Sequence, residues 1–326
     1  MPTPENAAPE NAAPENAAPE NAGPQESAPG AEGEPAAGPL AGALTRPEAG
    51  PLPGALVGAD WLGARLGAAG LVVLDASVGA HRGAERRIPG ARPFDLDGAL
   101  SDHGAPAPHT MPAAGAFTEA VRALGISDPD TVVVYDGAGI YSSARAWWML
   151  RAMGFDRVAV LDGGLPAWTA AGLPVEDTGP AYDGPRGSFT ARPRPGLLVG
   201  GETVAAALAD PAAAVVDART RGRFAGTAPE PRPGLRGGHM PGAVNLPFGE
   251  LQDPDGLMRP AVELRAAFAE VVGGRERLYF SCGSGVTACV LALGAALAGY
   301  EELAVYDGSW SEWGLPSPLR PVTTGP

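Results

Sequence analysis

Two tandem α/β domains, each a short parallel sheet flanked by helices, are what this sequence predicts, and three observations predict them. Short apolar β-branched runs alternate with helical patterns from residue 51 onward, and landmarks from the first half recur in the same order in the second. The length of 326 residues suits about two domains at roughly 100 to 200 residues each. A 45% hydrophobic share is enough for real cores, while glycine (47) and proline (36) together make up about a quarter of the chain. That composition borders on low complexity, so part of the chain is expected to stay outside any core.

The excess is concentrated at the start. Residues 4–22 repeat Pro-Glu-Asn-Ala-Ala with a period of five, which matches neither helix nor strand, so residues 1–50 are expected to form an extended, disordered low-complexity tail. Eight glutamates against one arginine put −7 of the net −14 in that tail. The first domain is expected over 51–176. Its strands are Leu71–Asp75, Thr131–Tyr135 and Val158–Asp162, apolar throughout as parallel strands covered on both faces must be, with a helix over Ser143–Met153 between the last two. A Gly-, Pro- and Arg-rich linker over 177–197 leads to the second domain over 198–322.

There the landmarks return. Ala214–Arg219 answers Val72–Ser77, Met240-Pro241-Gly242-Ala243 answers Ile88-Pro89-Gly90-Ala91, Leu278–Val286 answers Val132–Ile140, and Val305–Trp313 answers Leu161–Trp168. The copies differ at one decisive place: the second has Cys282 where the first has Asp136, so only the second can do thiol chemistry.

Composition narrows the chemistry. All 23 basic residues are arginine, which excludes a Schiff-base lysine and the lysine of a P-loop NTPase, and the net charge of −14 argues against a non-specific grip on nucleic acid. Two cysteines, seven residues apart, cannot make a disulfide framework, and no zinc-ligand spacing is present. With no basic-then-apolar leader and no unbroken apolar run of about 18 residues, a soluble protein of the reducing cytoplasm is expected, with no membrane or nucleic-acid partner.

Cys282 ends an apolar strand and opens the loop Cys-Gly-Ser-Gly-Val-Thr before a helix over about 288–298. Gly283 and Gly285 let the backbone curl so that successive N–H groups, those of Ser284, Val286 and Thr287 included, point inward, and the helix adds its positive end. Such a cradle favours a thiolate, the nucleophilic form of cysteine. Cys289 falls on the helix among apolar residues and is expected to pack. A cysteine phosphatase would need an arginine six residues after the nucleophile; position 288 is Ala. His239, in a turn that both copies share, and Asp75 and Asp217, at strand ends, are expected to be structural.

These residues together resemble the two-domain rhodanese superfamily over about residues 52–320: the tandem repeat, the first copy without its cysteine, Cys282-Gly283-Ser284-Gly285-Val286-Thr287-Ala288 and the closing Tyr306-Asp307-Gly308-Ser309-Trp310. The resemblance implies a sulfurtransferase in which Cys282 takes up a sulfane sulfur as a persulfide and passes it to a thiol such as thioredoxin, or to cyanide, without metal or organic cofactor. Neutral Gly283 and Ser284, where the thiosulfate-using branch carries basic residues, imply the mercaptopyruvate-using branch. Thiosulfate as donor, and a non-catalytic persulfide carrier, are the alternatives. Arg223 and Arg232 are similar to the family's two arginines that hold a 2-oxo acid, and Asp97 and His109 match positions that form a proton relay with Ser284.

Overall fold

The computed structural model describes residues 48–326, so the expected tail lies outside the described residues except for its last three. Those three already belong to the body: Glu48 bridges to Ala69, and the Ala49 carbonyl accepts the Arg65 Nε–H at 3.2 Å.

The first copy contains β1 (Leu56–Val57), α1 (Ala59–Gly63), β2 (Leu71–Asp75), β3 (Arg86–Arg87), β4 (Arg92–Pro93), α2 (Ala114–Ala123), β5 (Thr131–Tyr135), α3 (Ser143–Ala152), β6 (Val158–Leu161), α4 (Gly164–Ala170) and β7 (Glu176–Asp177). The second contains β8 (Leu198–Val199), α5 (Gly201–Ala209), β9 (Ala213–Asp217), α6 (Arg221–Ala225), β10 (Val244–Asn245), α7 (Ala261–Val272), β11 (Arg277–Ser281), α8 (Ala288–Leu297), β12 (Glu302–Tyr306) and α9 (Ser309–Trp313).

Each copy builds a five-stranded, all-parallel sheet, β1-β6-β5-β2-β4 and β8-β12-β11-β9-β10, so strand order repeats along with the landmarks. Register repeats as well. Asp75 pairs with Tyr135 and Asp217 with Ser281, which brings Asp136 and Cys282 off equivalent central strands at equivalent heights.

The two sheets share one core through their central helices. Trp147, Trp148, Met149 and Leu150 of α3 and Val290, Leu291 and Leu293 of α8 belong to a single buried cluster. A helix apolar on all sides must be buried on all sides, and Ala288–Ala295 of α8 is. Two further clusters close the outer faces, one around Trp168 and the other around Trp310 and Trp313. The segment expected to be a plain linker is anchored: β7 pairs antiparallel with β3, and Phe189 is buried edge-on against Phe117 and Phe155. Tyr182, with the Arg92 guanidinium 4.0 Å over its ring, pins the same stretch, and two isolated aromatics in a Gly/Pro/Arg-rich segment are invisible to periodicity.

Candidate active site

The C-terminal edge of a parallel sheet is where strand ends leave room for chemistry. At that edge of the second sheet, β11 delivers Cys282 to the floor of a cleft of about 310 Å³. Val78, His109 and Tyr141 come to its wall from the first copy; Arg223, Pro231, Arg232, Gly283, Ser284, Val286 and Thr287 come from the second.

The loop is held from behind by the start of α9. The Cys282 N–H donates to Ser309 Oγ (3.1 Å), the Cys282 carbonyl accepts the Trp310 N–H (3.0 Å), and the Gly283 carbonyl accepts both the N–H (2.8 Å) and the hydroxyl (2.7 Å) of Ser311. Ser309 adopts φ 45°, a left-handed conformation that costs a non-glycine residue about 1 kcal/mol or more. Its buried hydroxyl meets that cost by bonding Cys282 and, as donor, the Tyr306 carbonyl at 2.8 Å.

Gly285 lies at φ 76°, and a Cβ there would stand 2.8 Å from the Asp307 carbonyl, so glycine is required on two counts. Among the described residues, the N–H groups from Gly283 to Thr287 have no protein acceptor. Cys282 is 2% exposed, reachable only through the cleft. Cys289 is buried in α8, donates its S–H to the Gly285 carbonyl at 3.3 Å, and burial pushes its thiol up to about 12.

Arg223 rides on the five-residue α6, which ends at Gly226 with φ 76°. His239 holds that helix down: its ring stacks on Phe224 at 3.7 Å and its Nδ1–H donates to the Phe224 carbonyl at 2.9 Å. The Arg223 guanidinium lies over Gly283, 3.1 Å from where a Cβ would be, so any side chain at 283 would crowd it. Glu230 Oε2 accepts from Arg223 Nη2 at 2.6 Å while Oε1 accepts from Arg219 at 2.7 Å, and Arg219 in turn forks onto Asp217. Asp217 therefore caps its turn, as expected, and also ends a buried charge chain running to Arg223. Glu230 and Arg219 went unnoticed in the sequence, although a carboxylate between two prolines beside two arginines is a visible signal.

Asp97, His109 and Ser284 form a hydrogen-bonded chain across the two copies. Ser284 Oγ is 3.0 Å from His109 Nδ1, and His109 Nε2 is 2.9 Å from Asp97 Oδ1. A carboxylate can only accept, so Nε2 carries the proton and Nδ1 is left to accept from the serine hydroxyl. Burial lowers the pKa of His109 below the ordinary histidine value, outweighing the opposing pull of Asp97. Tyr141 was not singled out in the sequence. It enters the cleft from the loop that replaces the cysteine loop in the first copy, packed edge-on against Phe248 at 5.5 Å.

Among known proteins, the family model for the rhodanese-like domain matches residues 58–171 and again 201–315. The chain is 41% identical over 288 residues to thiosulfate/3-mercaptopyruvate sulfurtransferase 1, mitochondrial, of Arabidopsis thaliana, with 79% of this chain and 75% of that one covered. It is 40% identical over 279 residues to the 3-mercaptopyruvate sulfurtransferase of Escherichia coli K12, covering 82% and 98%. The crystal structure of SseA from Escherichia coli superposes with a TM-score of 0.69 at 37% identity, over 79% of this chain and 99% of that one.

Proposed function

This chain belongs to the rhodanese family, and on that premise we propose that it is a sulfurtransferase moving sulfur from 3-mercaptopyruvate through a Cys282 persulfide to a thiol or cyanide. The observation that carries the reading is the convergence of Cys282, the Arg223–Arg232 wall and the Ser284–His109–Asp97 chain on one cleft.

The donor binds with its carboxylate and carbonyl against Arg223 and Arg232, which suit a planar 2-oxo acid because guanidinium groups recognise such oxygens in pairs. Its thiol proton passes to Ser284 as the Ser284 hydroxyl proton passes to His109 Nδ1, with Asp97 stabilising the imidazolium that results. The Cys282 thiolate attacks the donor sulfur: an S–S bond forms, the S–C bond breaks, and its electron pair remains on the organic fragment as the enolate of pyruvate. The two arginines face that developing charge. The relay proton returns to C3, pyruvate leaves, and Cys282 is left as a persulfide anion lying where the free N–H groups of residues 283–287 can solvate it. An acceptor thiol, such as that of thioredoxin, takes the outer sulfur and restores the thiolate.

The chain needs a small-molecule donor and neither metal nor organic cofactor for these steps. Both cysteines are free thiols, which suits a reducing compartment such as the cytoplasm, and no helix among the described residues is long and apolar enough to cross a membrane. Steady-state pyruvate release from 3-mercaptopyruvate, compared with thiocyanate formation from thiosulfate and cyanide, tests the reading. Arg223→Ala should reduce kcat/KM for mercaptopyruvate by about tenfold to a hundredfold, the worth of a charge-assisted contact of about 1.5–3 kcal/mol. Normal use of mercaptopyruvate by that variant together with failure on thiosulfate would instead identify thiosulfate as the donor, and absence of turnover with both donors would leave a persulfide carrier.

A further inference from the structure

The relay histidine stands in an unfavourable place. His109 adopts φ 60° in a Pro/Ala/Gly-rich segment. Asp97 holds its Nε2 at 2.9 Å and the Thr110 hydroxyl donates to the Ala107 carbonyl at 2.7 Å, but among the described residues no bond from within the segment reaches the His109 backbone itself. The hold comes from below. Arg145 Nη2, on the third residue of α3, donates to the His109 carbonyl at 2.7 Å and lies 2.6 Å from Asp307 Oδ1; Asp307 Oδ2 accepts the Met111 N–H at 2.8 Å. One ion pair, its guanidinium from the first copy and its carboxylate from the second, thus grips the segment on both sides of Thr110.

The duplication supplies an internal control. Asp162 follows β6 as Asp307 follows β12, and its Oδ1 accepts the Met258 N–H from the other copy at 2.9 Å, so a carboxylate-to-methionine-amide clamp exists on both sides of the pseudo-twofold. The third residue of α8, however, is Val290. Docking of the copies therefore calls for the carboxylate and the amide, not for the arginine. Arg145 is wholly buried with Nε and Nη1 left without hydrogen-bond partners, a desolvation cost borne only on the Cys282 side.

We propose that Arg145 is a positioning residue for the sulfur-transfer step, holding His109 in its left-handed conformation so that Nδ1 can accept the Ser284 proton. The inference rests on the relay described above. It is tested in the full chain by Arg145→Met and Arg145→Lys beside Ser284→Ala, measuring pyruvate release, Cys282 alkylation by iodoacetamide and thermal unfolding. Arg145→Met should lower kcat for 3-mercaptopyruvate about tenfold or more, within the ~10²–10⁴ that general acid–base catalysis supplies, while KM and the alkylation rate stay within about twofold. Arg145→Lys keeps a charge beside Asp307 without the fork, should lose less, and carries the test if the methionine variant does not fold. Unchanged kcat in both Arg145 variants while Ser284→Ala is impaired would overturn the positioning role. Alkylation that slows in step with turnover would overturn it too, by showing that the guanidinium acts on the thiol through its charge. A normal Ser284→Ala enzyme would overturn the relay itself, and this role with it.

Discussion

The two copies set the same loop to opposite uses. In the second, the N–H groups after Cys282 are left without protein acceptors; in the first, Asp136 stands at the cysteine's position and folds its own carboxyl into the cradle. Its Oδ1 accepts the N–H of Ala138 and its Oδ2 those of Tyr141, Ser142 and Ser143, all at 2.8–2.9 Å. Burial raises the Asp136 carboxyl, and the N–H bonds pull the other way. In one copy the chain itself supplies an acceptor for these N–H groups; in the other they have none among the described residues, and in the proposed function a sulfur anion takes the open position. The first copy still takes part in the site, but through what surrounds its loop: Tyr141, Val78 and His109.

The sharpest way to break this comparison is to exchange the residues that define it. Cys282→Ser should abolish sulfur transfer, a loss of about 10³-fold or more because serine is a far weaker nucleophile, whereas Cys289→Ser should keep most of the activity. Adding Asp136→Cys to Cys282→Ser should not restore turnover, since His81 stands over Gly137 where Arg223 stands over Gly283 and no arginine lines the first copy's loop. Pyruvate release checks all three, and recovery in the double variant would show that the cysteine loop alone suffices.

Next in size is the self-filled cradle. Asp136→Ala leaves four N–H donors without their acceptor, those of Ser142 and Ser143 buried, and should destabilise the protein by about 2–4 kcal/mol, read from denaturant unfolding. Gly283→Ala in the second copy instead crowds the Arg223 guanidinium and should raise KM with little change in stability. If Asp136→Ala proves neutral, the carboxyl is not what closes the first loop.

The smallest effect concerns pH. Because burial lowers the pKa of His109 below its ordinary 6.5, the neutral, proton-accepting form prevails at pH 7, and turnover should stay level there and fall only as the pH drops through that lowered value. Asp97 raises the pKa of His109, so Asp97→Asn should move the acid limb of the kcat profile to still lower pH. A shift to higher pH would show that His109 is not the group titrating.

Much of this was legible in the residues alone. The three long strands of the first copy were predicted to within a residue, because fully covered parallel strands read as unbroken β-branched runs bounded by turn residues. The repeated landmarks predicted the duplication, and Cys-Gly-Ser-Gly pointed to the loop. Asp97, His109, Ser284, Arg223 and Arg232 were expected together, though only from a resemblance: they lie up to 187 positions apart in sequence, and no local pattern joins them.

What the sequence by itself determined is therefore whatever depends on neighbours in the chain: strands, helices, the duplication, and which copy holds the cysteine. Tertiary structure alone decided which groups meet. Arg145 reads as one of two arginines in a largely apolar helix, and only the docking of α3 against α8 places it beneath His109 and Asp307. Glu230 reads as a loop carboxylate, and only the turn of its loop over β9 inserts it between Arg219 and Arg223. Buried charges have to be satisfied by whatever the fold brings within about 3 Å, and that distance is set by packing between segments rather than by spacing along the chain.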